Sequence, residues 1–210
     1  MNGDLRLDPA RTALLVLDMQ NDFCAADGFF ARAGHDVSPC LAIVRPIDVL
    51  RRAVRPLGVL TIFTQSLNPT PPDRRLVPLR FRPEFVPGVT GTRGLTPGTW
   101  GAQILDELRP SAGEVVLEKS RYSAFFRTSL EVDLRERGID TVVLAGVYTN
   151  VCVDATARDA FMRDFDVLVL SDCVATFGGD ADLHDASLRT IELVIGVVAP
   201  SKAFLAELDG

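Results

Sequence analysis

Along the chain, short uninterrupted apolar runs alternate with longer stretches in which apolar residues recur every three or four positions. The runs are ALLVLD (13–18), GVLTIFT (58–64), EVVLEK (114–119), TVVLAGV (141–147), DVLVLSD (166–172) and IGVVAP (195–200). They are continuous rather than alternating, as expected of strands covered on both faces in a parallel sheet. Between them the helical period predicts helices over 38–56, 99–108, 128–138, 152–165 and 181–194, with a short one over 202–208. Thr128 with Glu131 spells a capping box, and Gly138 supplies a helix stop. The alternation predicts an α/β fold: one three-layer domain with a central, roughly six-stranded parallel sheet and helices on both faces. Two stretches break the rhythm, 24–38 and 66–98. The second is long and rich in Pro and Gly, which reads as a lid or binding segment.

Composition narrows the function classes. With 210 residues, 47% of them hydrophobic, the chain can build one sizeable core, so residues 1–210 read as a single domain. A net charge of −6 with dispersed basic residues argues against nucleic acid. No run approaches the ~20 apolar residues of a bilayer span, and the start lacks a signal peptide's basic and apolar regions, so no membrane and a cytoplasmic location are expected. Cys24, Cys40, Cys152 and Cys173 include no close pair, so a disulfide framework is not expected. His35 and His184 are the only histidines, which removes H-E-x-x-H and zinc-finger patterns. Dinucleotide, P-loop and G-x-S-x-G signatures are missing as well. No cofactor and no metal are expected, and a small molecule is the expected partner.

In parallel α/β sheets the ligand crevice lies outside the carboxyl ends of the strands. Asp18 ends the first run, Lys119 ends the third, and Cys152 follows the fourth by a few residues. A thiol attacks as thiolate, and its usual pKa of about 8.5 falls at helix N-termini and beside cations. Cys152 would have the first from the helix beginning there and the second from Lys119. Free N–H groups at that junction could also hold an oxyanion. With no histidine in a suitable motif, a desolvated carboxylate can move the proton, and Asp18 fits as base for the thiol and then acid for the leaving nitrogen. Taken singly, a buried Cys is an ordinary small hydrophobe, and a charge at a strand end is commonly the chain surfacing. Three complementary groups at three strand ends weigh more than each alone.

These residues resemble the isochorismatase-like cysteine hydrolase superfamily, which includes nicotinamidases, N-carbamoylsarcosine amidohydrolases, ureidoacrylate and biuret-type amidohydrolases, and isochorismatases. The blocks that carry the resemblance are ALLVLDMQNDF (13–23), TIFTQ (61–65), PGTWGAQILDEL (97–108), EKSRYSAFFRTSL (118–130) and GVYTNVCVDATARDAFMRDFDVLVLSD (146–172). The family's catalytic Asp, Lys and Cys fall on Asp18, Lys119 and Cys152. The resemblance also implies a non-proline cis peptide between Val147 and Tyr148, with the N–H groups of Tyr148 and Cys152 turned toward an oxyanion. Nicotinamidases follow the second strand with histidine-containing metal ligands, whereas Ser66 and Asn68 stand there in this chain. Isochorismatases typically lack the cysteine. The implied activity is therefore metal-independent hydrolysis of a C–N bond in a small amide, carbamoyl or ureido compound through a thioester. The alternatives are an isochorismatase-type vinyl ether hydrolase and a non-catalytic binding protein. Phe23, Trp100, Tyr122 and Tyr148 are candidate substrate contacts, with Phe126 and Phe177 also flanking the motifs. For each aromatic, core packing is the competing reading. Gln20 and Asn21 either bond substrate or shape the loop after Asp18, and Arg121 either anchors an anionic group or lies at a surface. Family likeness further implies a homo-oligomer, a dimer or tetramer.

Overall fold

The structure, a computed structural model, describes residues 7–68 and 94–208. Six strands, β1 (Thr12–Leu17), β2 (Leu60–Ser66), β3 (Val115–Lys119), β4 (Thr141–Val147), β5 (Asp166–Ala175) and β6 (Val197–Ala199), form one sheet in the order β3-β2-β1-β4-β5-β6. Every neighbouring pair is parallel. The two central strands, β1 and β4, are buried at every position, which accounts for their unbroken apolar sequences.

Alternate side chains of β1 feed two cores. Leu14 and Val16 pack with Ile47, Leu50, Phe63 and Phe204 on one face, and Ala13, Leu15 and Leu17 pack with Leu130, Leu134, Ala157 and Ile191 on the other. The first face is covered by α4 (Val44–Val54) and α8 (Ser201–Leu208), the second by α5 (Leu130–Glu136), α6 (Asp154–Phe161) and α7 (Ala181–Val194). The three layers expected from the hydrophobic pattern are present.

Local outcomes differ from the helical pattern in four places, the first being the expected helix 38–56, which divides into α3 (Ser38–Ala42), α4 and a 3₁₀ turn over Arg55–Leu57. The expected helix 99–108 is instead two single 3₁₀ turns, Trp100–Ala102 and Asp106–Leu108. Backbone partners decide this: the N–H of Asn21 bonds the Gln103 carbonyl at 2.9 Å, and the N–H of Leu105 bonds the Met19 carbonyl at 2.9 Å. The segment pairs with the loop after β1, and those bonds outweigh a modest helix propensity. The Thr128/Glu131 capping box does not form either. Thr128 accepts the Leu130 N–H at 3.3 Å, while Glu131 pairs with Arg163 at 3.0 Å. Gly138 does stop α5, at φ 71°. Finally, the helix expected from residue 152 begins as a π-helical turn over Thr149–Val153, and regular α6 follows only at Asp154.

A short helix, α1 (Asn21–Cys24), leads into the interruption at 24–38, which holds α2 (Phe29–Arg32) before α3 (Ser38–Ala42). Most of the interruption at 66–98, namely 69–93, lies outside the described residues. Among the described residues, no helix is long and apolar enough to cross a membrane.

Candidate active site

The sheet order changes direction between β1 and β4. From β1 the chain works outward through β2 to β3, then returns to the opposite side of β1 to build β4, β5 and β6. That reversal is a topological switch point, where the carboxyl ends of the strands open a crevice. Gly146 tightens it. At φ 110°, a Cβ there would stand 2.1 Å from the Leu17 carbonyl oxygen, so only glycine lets the end of β4 lie this close to the end of β1. Asp18 and the turn that carries Cys152 leave from these two points.

Asp18 is the first residue past β1 and sits at φ 54°, a left-handed conformation that costs a non-glycine residue about 1–2 kcal/mol. Thr64 of β2 holds it from both sides. Its hydroxyl accepts the Asp18 N–H at 3.0 Å and donates to Asp18 Oδ1 at 2.7 Å. The other oxygen, Oδ2, lies 2.7 Å from Lys119 Nζ, and both side chains are fully buried. Lys119 reaches it from β3, two strands away. The same ammonium donates to the Arg121 carbonyl at 2.9 Å and to Cys152 Sγ at 3.7 Å. Its three N–H donors thus match a carboxylate, a carbonyl and a sulfur.

Asp18, Lys119 and Cys152, singled out on chemistry and strand position, are brought together. Their electrostatics follow from burial. Desolvation pushes the Cys152 thiol up beyond the ordinary thiol range; Lys119 pulls against this and the Asp18 charge adds to it. Desolvation works against the Lys119 charge, yet Asp18 and Cys152 outweigh it and hold the lysine above its usual value. Burial thus favours the neutral thiol beside the Lys119–Asp18 ion pair. Burial works against the thiolate that the helix start and Lys119 favour. Among the described residues, Asp18 Oδ2 is the one buried side-chain nitrogen or oxygen without an aligned hydrogen bond. Lys119 meets it as a close ion pair, and acceptor capacity is left over for a proton.

The peptide between Val147 and Tyr148 is cis. The following turn is pinned by its side chains: Thr149 Oγ1 and His184 Nδ1 are 2.8 Å apart, and Thr176 donates to Asn150 Oδ1 at 2.7 Å. The Tyr148 carbonyl accepts the N–H groups of Val151 and Val153 at 3.0 and 3.1 Å. Thr64, Thr149 and His184 were not picked out from sequence. A hydroxyl near the end of the apolar run 58–64 was the available signal for Thr64, whereas nothing in the sequence joins His184 to residue 149.

The candidate aromatic contacts separate into two groups. Phe23 and Tyr148 are buried in a cluster with Phe30, His35 and Phe177, and the Tyr148 hydroxyl donates to the Phe23 carbonyl at 2.9 Å. Trp100, Tyr122 and Phe126 are exposed. Gln20 and Asn21 shape the loop. The Gln20 amide bonds both the N–H and the carbonyl of Ser66, and Asn21 Nδ2 donates to the Trp100 carbonyl. Asn68 Nδ2 donates to the Gly94 carbonyl at 3.0 Å, and Ser66 is held by Gln20 through its backbone. A cleft of about 720 Å³ at the amino ends of the strands, lined by Thr141, Phe165, Asp166 and Gly196, holds none of the three convergent groups.

Residues 12–203 match the Isochorismatase domain family. The chain belongs to the isochorismatase family. Among its relatives, the ureidoacrylate amidohydrolase RutB of Methylobacterium radiotolerans is 36% identical, over 97% of this chain and 82% of that one. A cysteine hydrolase from Pseudomonas syringae pv. phaseolicola superposes with a TM-score of 0.83 at 28% identity, covering 100% of this chain and 99% of that one. N-carbamoylsarcosine amidase from Thermoplasma acidophilum superposes with a TM-score of 0.71 at 32% identity, over 91% and 96% of the two chains. The isochorismatase-like blocks quoted from the sequence thus sit on the isochorismatase-like fold.

Proposed function

We propose that this chain hydrolyses the C–N bond of a small amide, carbamoyl or ureido compound, with Cys152 as nucleophile, Asp18 as proton carrier and Lys119 as the cation serving both. The observation that carries the proposal is the single buried ammonium touching carboxylate and sulfur, with Asp18 Oδ2 still able to accept. The ureidoacrylate and carbamoylsarcosine activities of the relatives support the same substrate range.

The steps follow from the resting protonation. As Sγ bonds the carbonyl carbon, its proton passes to Asp18, so no free thiolate has to persist in the buried site. The carbonyl oxygen becomes an oxyanion facing the backbone N–H groups of Tyr148 and Cys152. Collapse breaks the C–N bond, and Asp18 returns the proton to the leaving nitrogen, which departs as ammonia or an amine. Water then attacks the thioester, which is an S-carbamoyl group when the substrate is a ureido compound. It gives up a proton through Asp18, and the thiol reforms. Lys119 stays charged throughout and offsets the negative charge wherever it resides.

Neither a cofactor nor a metal enters these steps. Four free cysteines suit the cytoplasmic setting expected from the sequence. The exposed Met162, Leu193 and Val194 suit the expected homo-oligomer, which light scattering would size. Ammonia release from a panel of small amides, carbamates and ureido acids, run in parallel on wild type and Cys152→Ala, tests the reaction. Turnover confined to the wild type is the expected result, and equal activity of the variant refutes the mechanism.

A further inference from the structure

Catalysis as proposed asks the turn Thr149–Val153 to hold two things still, the sulfur of Cys152 and the N–H groups that face the oxyanion. The turn is π-helical, so its backbone bonds span five residues instead of four, and regular α6 starts only at Asp154. Side chains from neighbouring elements add to its hold. Thr176, just past β5, donates to Asn150 Oδ1 at 2.7 Å, and His184 Nδ1 of α7 stands 2.8 Å from Thr149 Oγ1.

These two ties differ in what solvent can do. Asn150 is half-buried, so water can take over a bond lost there. Thr149 is fully buried, and its hydroxyl depends on a partner supplied by the protein. That partner comes from a thinly packed part of the fold. Of the 14 residues of α7, Ile191 alone is buried, and none of 181–188 is. Apolar burial therefore does little to fix the amino-terminal half of this helix, and the bond from His184 ties it to the nucleophile turn. The tie suits either ring tautomer, because a hydroxyl accepts from Nδ1–H and donates to a bare Nδ1. Its place in the chain is also telling: Thr149 directly follows Tyr148 and precedes Cys152 by three residues, so it sits between the two backbone donors.

We propose that His184 is a positioning residue: through Thr149 it holds the turn so that the N–H groups of Tyr148 and Cys152 point at the oxyanion. This rests on the Cys152 reading above and adds to it a residue that acts at one remove from the reacting atoms.

Two independent readouts on full-length variants test it. One is hydrogen–deuterium exchange of the backbone amides of 148–153. The other is kcat and KM for the most rapidly hydrolysed member of the panel of small amides, carbamates and ureido acids. His184→Phe keeps a ring and loses the nitrogen. It should speed exchange across the turn by at least about fivefold with β1 and β4 unchanged, and lower kcat roughly tenfold to a hundredfold with KM within about threefold. His184→Asn carries a polar atom on Cγ, where histidine carries Nδ1, and should recover most of both losses. Thr149→Val should resemble His184→Phe, and the double variant should be no worse than either alone. Unmoved exchange in His184→Phe, an asparagine variant no better than the phenylalanine one, or a loss in KM without one in kcat overturns the proposal. So does faster exchange that extends through β1 and β4, since that marks a role in stability alone. Faster turn exchange in a protein without Cys152-dependent ammonia release sinks only the catalytic reading, and unmoved exchange with that release intact sinks only the part assigned to His184.

Discussion

At the amino end of β3, Glu114 meets Arg51 of α4 at 3.0 Å; at its carboxyl end, Lys119 meets Asp18 at 2.7 Å. Both pairs are buried, and their surroundings differ in kind. Glu114 also accepts the Ser111 N–H at 2.6 Å and Arg55 at 3.1 Å, and Arg51 is further held by Asp48 and the Arg109 carbonyl. Every polar group there is occupied by another part of the fold. The Lys119–Asp18 pair leaves one oxygen without an aligned hydrogen bond and points its third donor at a thiol. A buried ion pair stabilises only when its remaining hydrogen-bonding capacity is used. The first pair is a finished structural joint, whereas the second keeps capacity in reserve for a moving proton.

The sharpest way to break this contrast is to remove the chemistry at the carboxyl end. Cys152→Ala should lower turnover by about 10⁴-fold or more with little change in melting temperature, and Asp18→Asn should do comparably, because an amide cannot take the thiol proton. At the amino end the order reverses. Arg51→Ala leaves the buried Glu114 with only Arg55 and the Ser111 N–H and should cost about 3 kcal/mol in denaturant unfolding, while turnover per folded molecule stays near wild type. Replacing both charges at the carboxyl end, Asp18→Asn with Lys119→Met, should abolish activity yet leave stability nearly unchanged or raised.

A subtler test uses pH. The neutral thiol is favoured in the folded site, so Cys152 alkylation by iodoacetamide should still be accelerating with pH beyond the ordinary thiol range of about 8.5. Asp18 raises the thiol and Lys119 lowers it. Asp18→Asn should therefore shift the alkylation profile to lower pH, making the sulfur more reactive toward the reagent in a variant that no longer hydrolyses substrate. A profile that moves upward or stays put would contradict the assigned charges. Smallest of all, Thr64→Val removes the hydroxyl that holds Asp18 from two sides and should cost about 1–3 kcal/mol of stability. Turnover should drop by roughly tenfold, since a carboxylate free to rotate is worse aligned for proton transfer.

Cys173 provides a control within the same molecule. Burial pushes its thiol up to about 12, and its charged neighbour is Asp172 rather than a lysine. It has the burial of Cys152 without the cation, the setting of an ordinary small hydrophobe. Burial alone does not mark a nucleophile. What separates Cys152 is an ammonium and a carboxylate arriving from other strands.

The sequence by itself determined the architecture and the three polar side chains that meet at its rim. Continuous β-branched runs of strand length had to be covered on both faces, and the alternation of strand and helix then left little choice but a parallel sheet with polar residues emerging at its carboxyl rim. Asp18, Lys119 and Cys152 were legible because each ends or closely follows such a run. Tertiary structure alone decided how they are held. The lysine's reach across β2, the hydroxyl of Thr64 beneath Asp18 and the contact between His184 and Thr149 join residues that are distant in the chain. The local sequence around Cys152 offers a helix start that favours thiolate, and only the packed fold supplies the desolvation that opposes it.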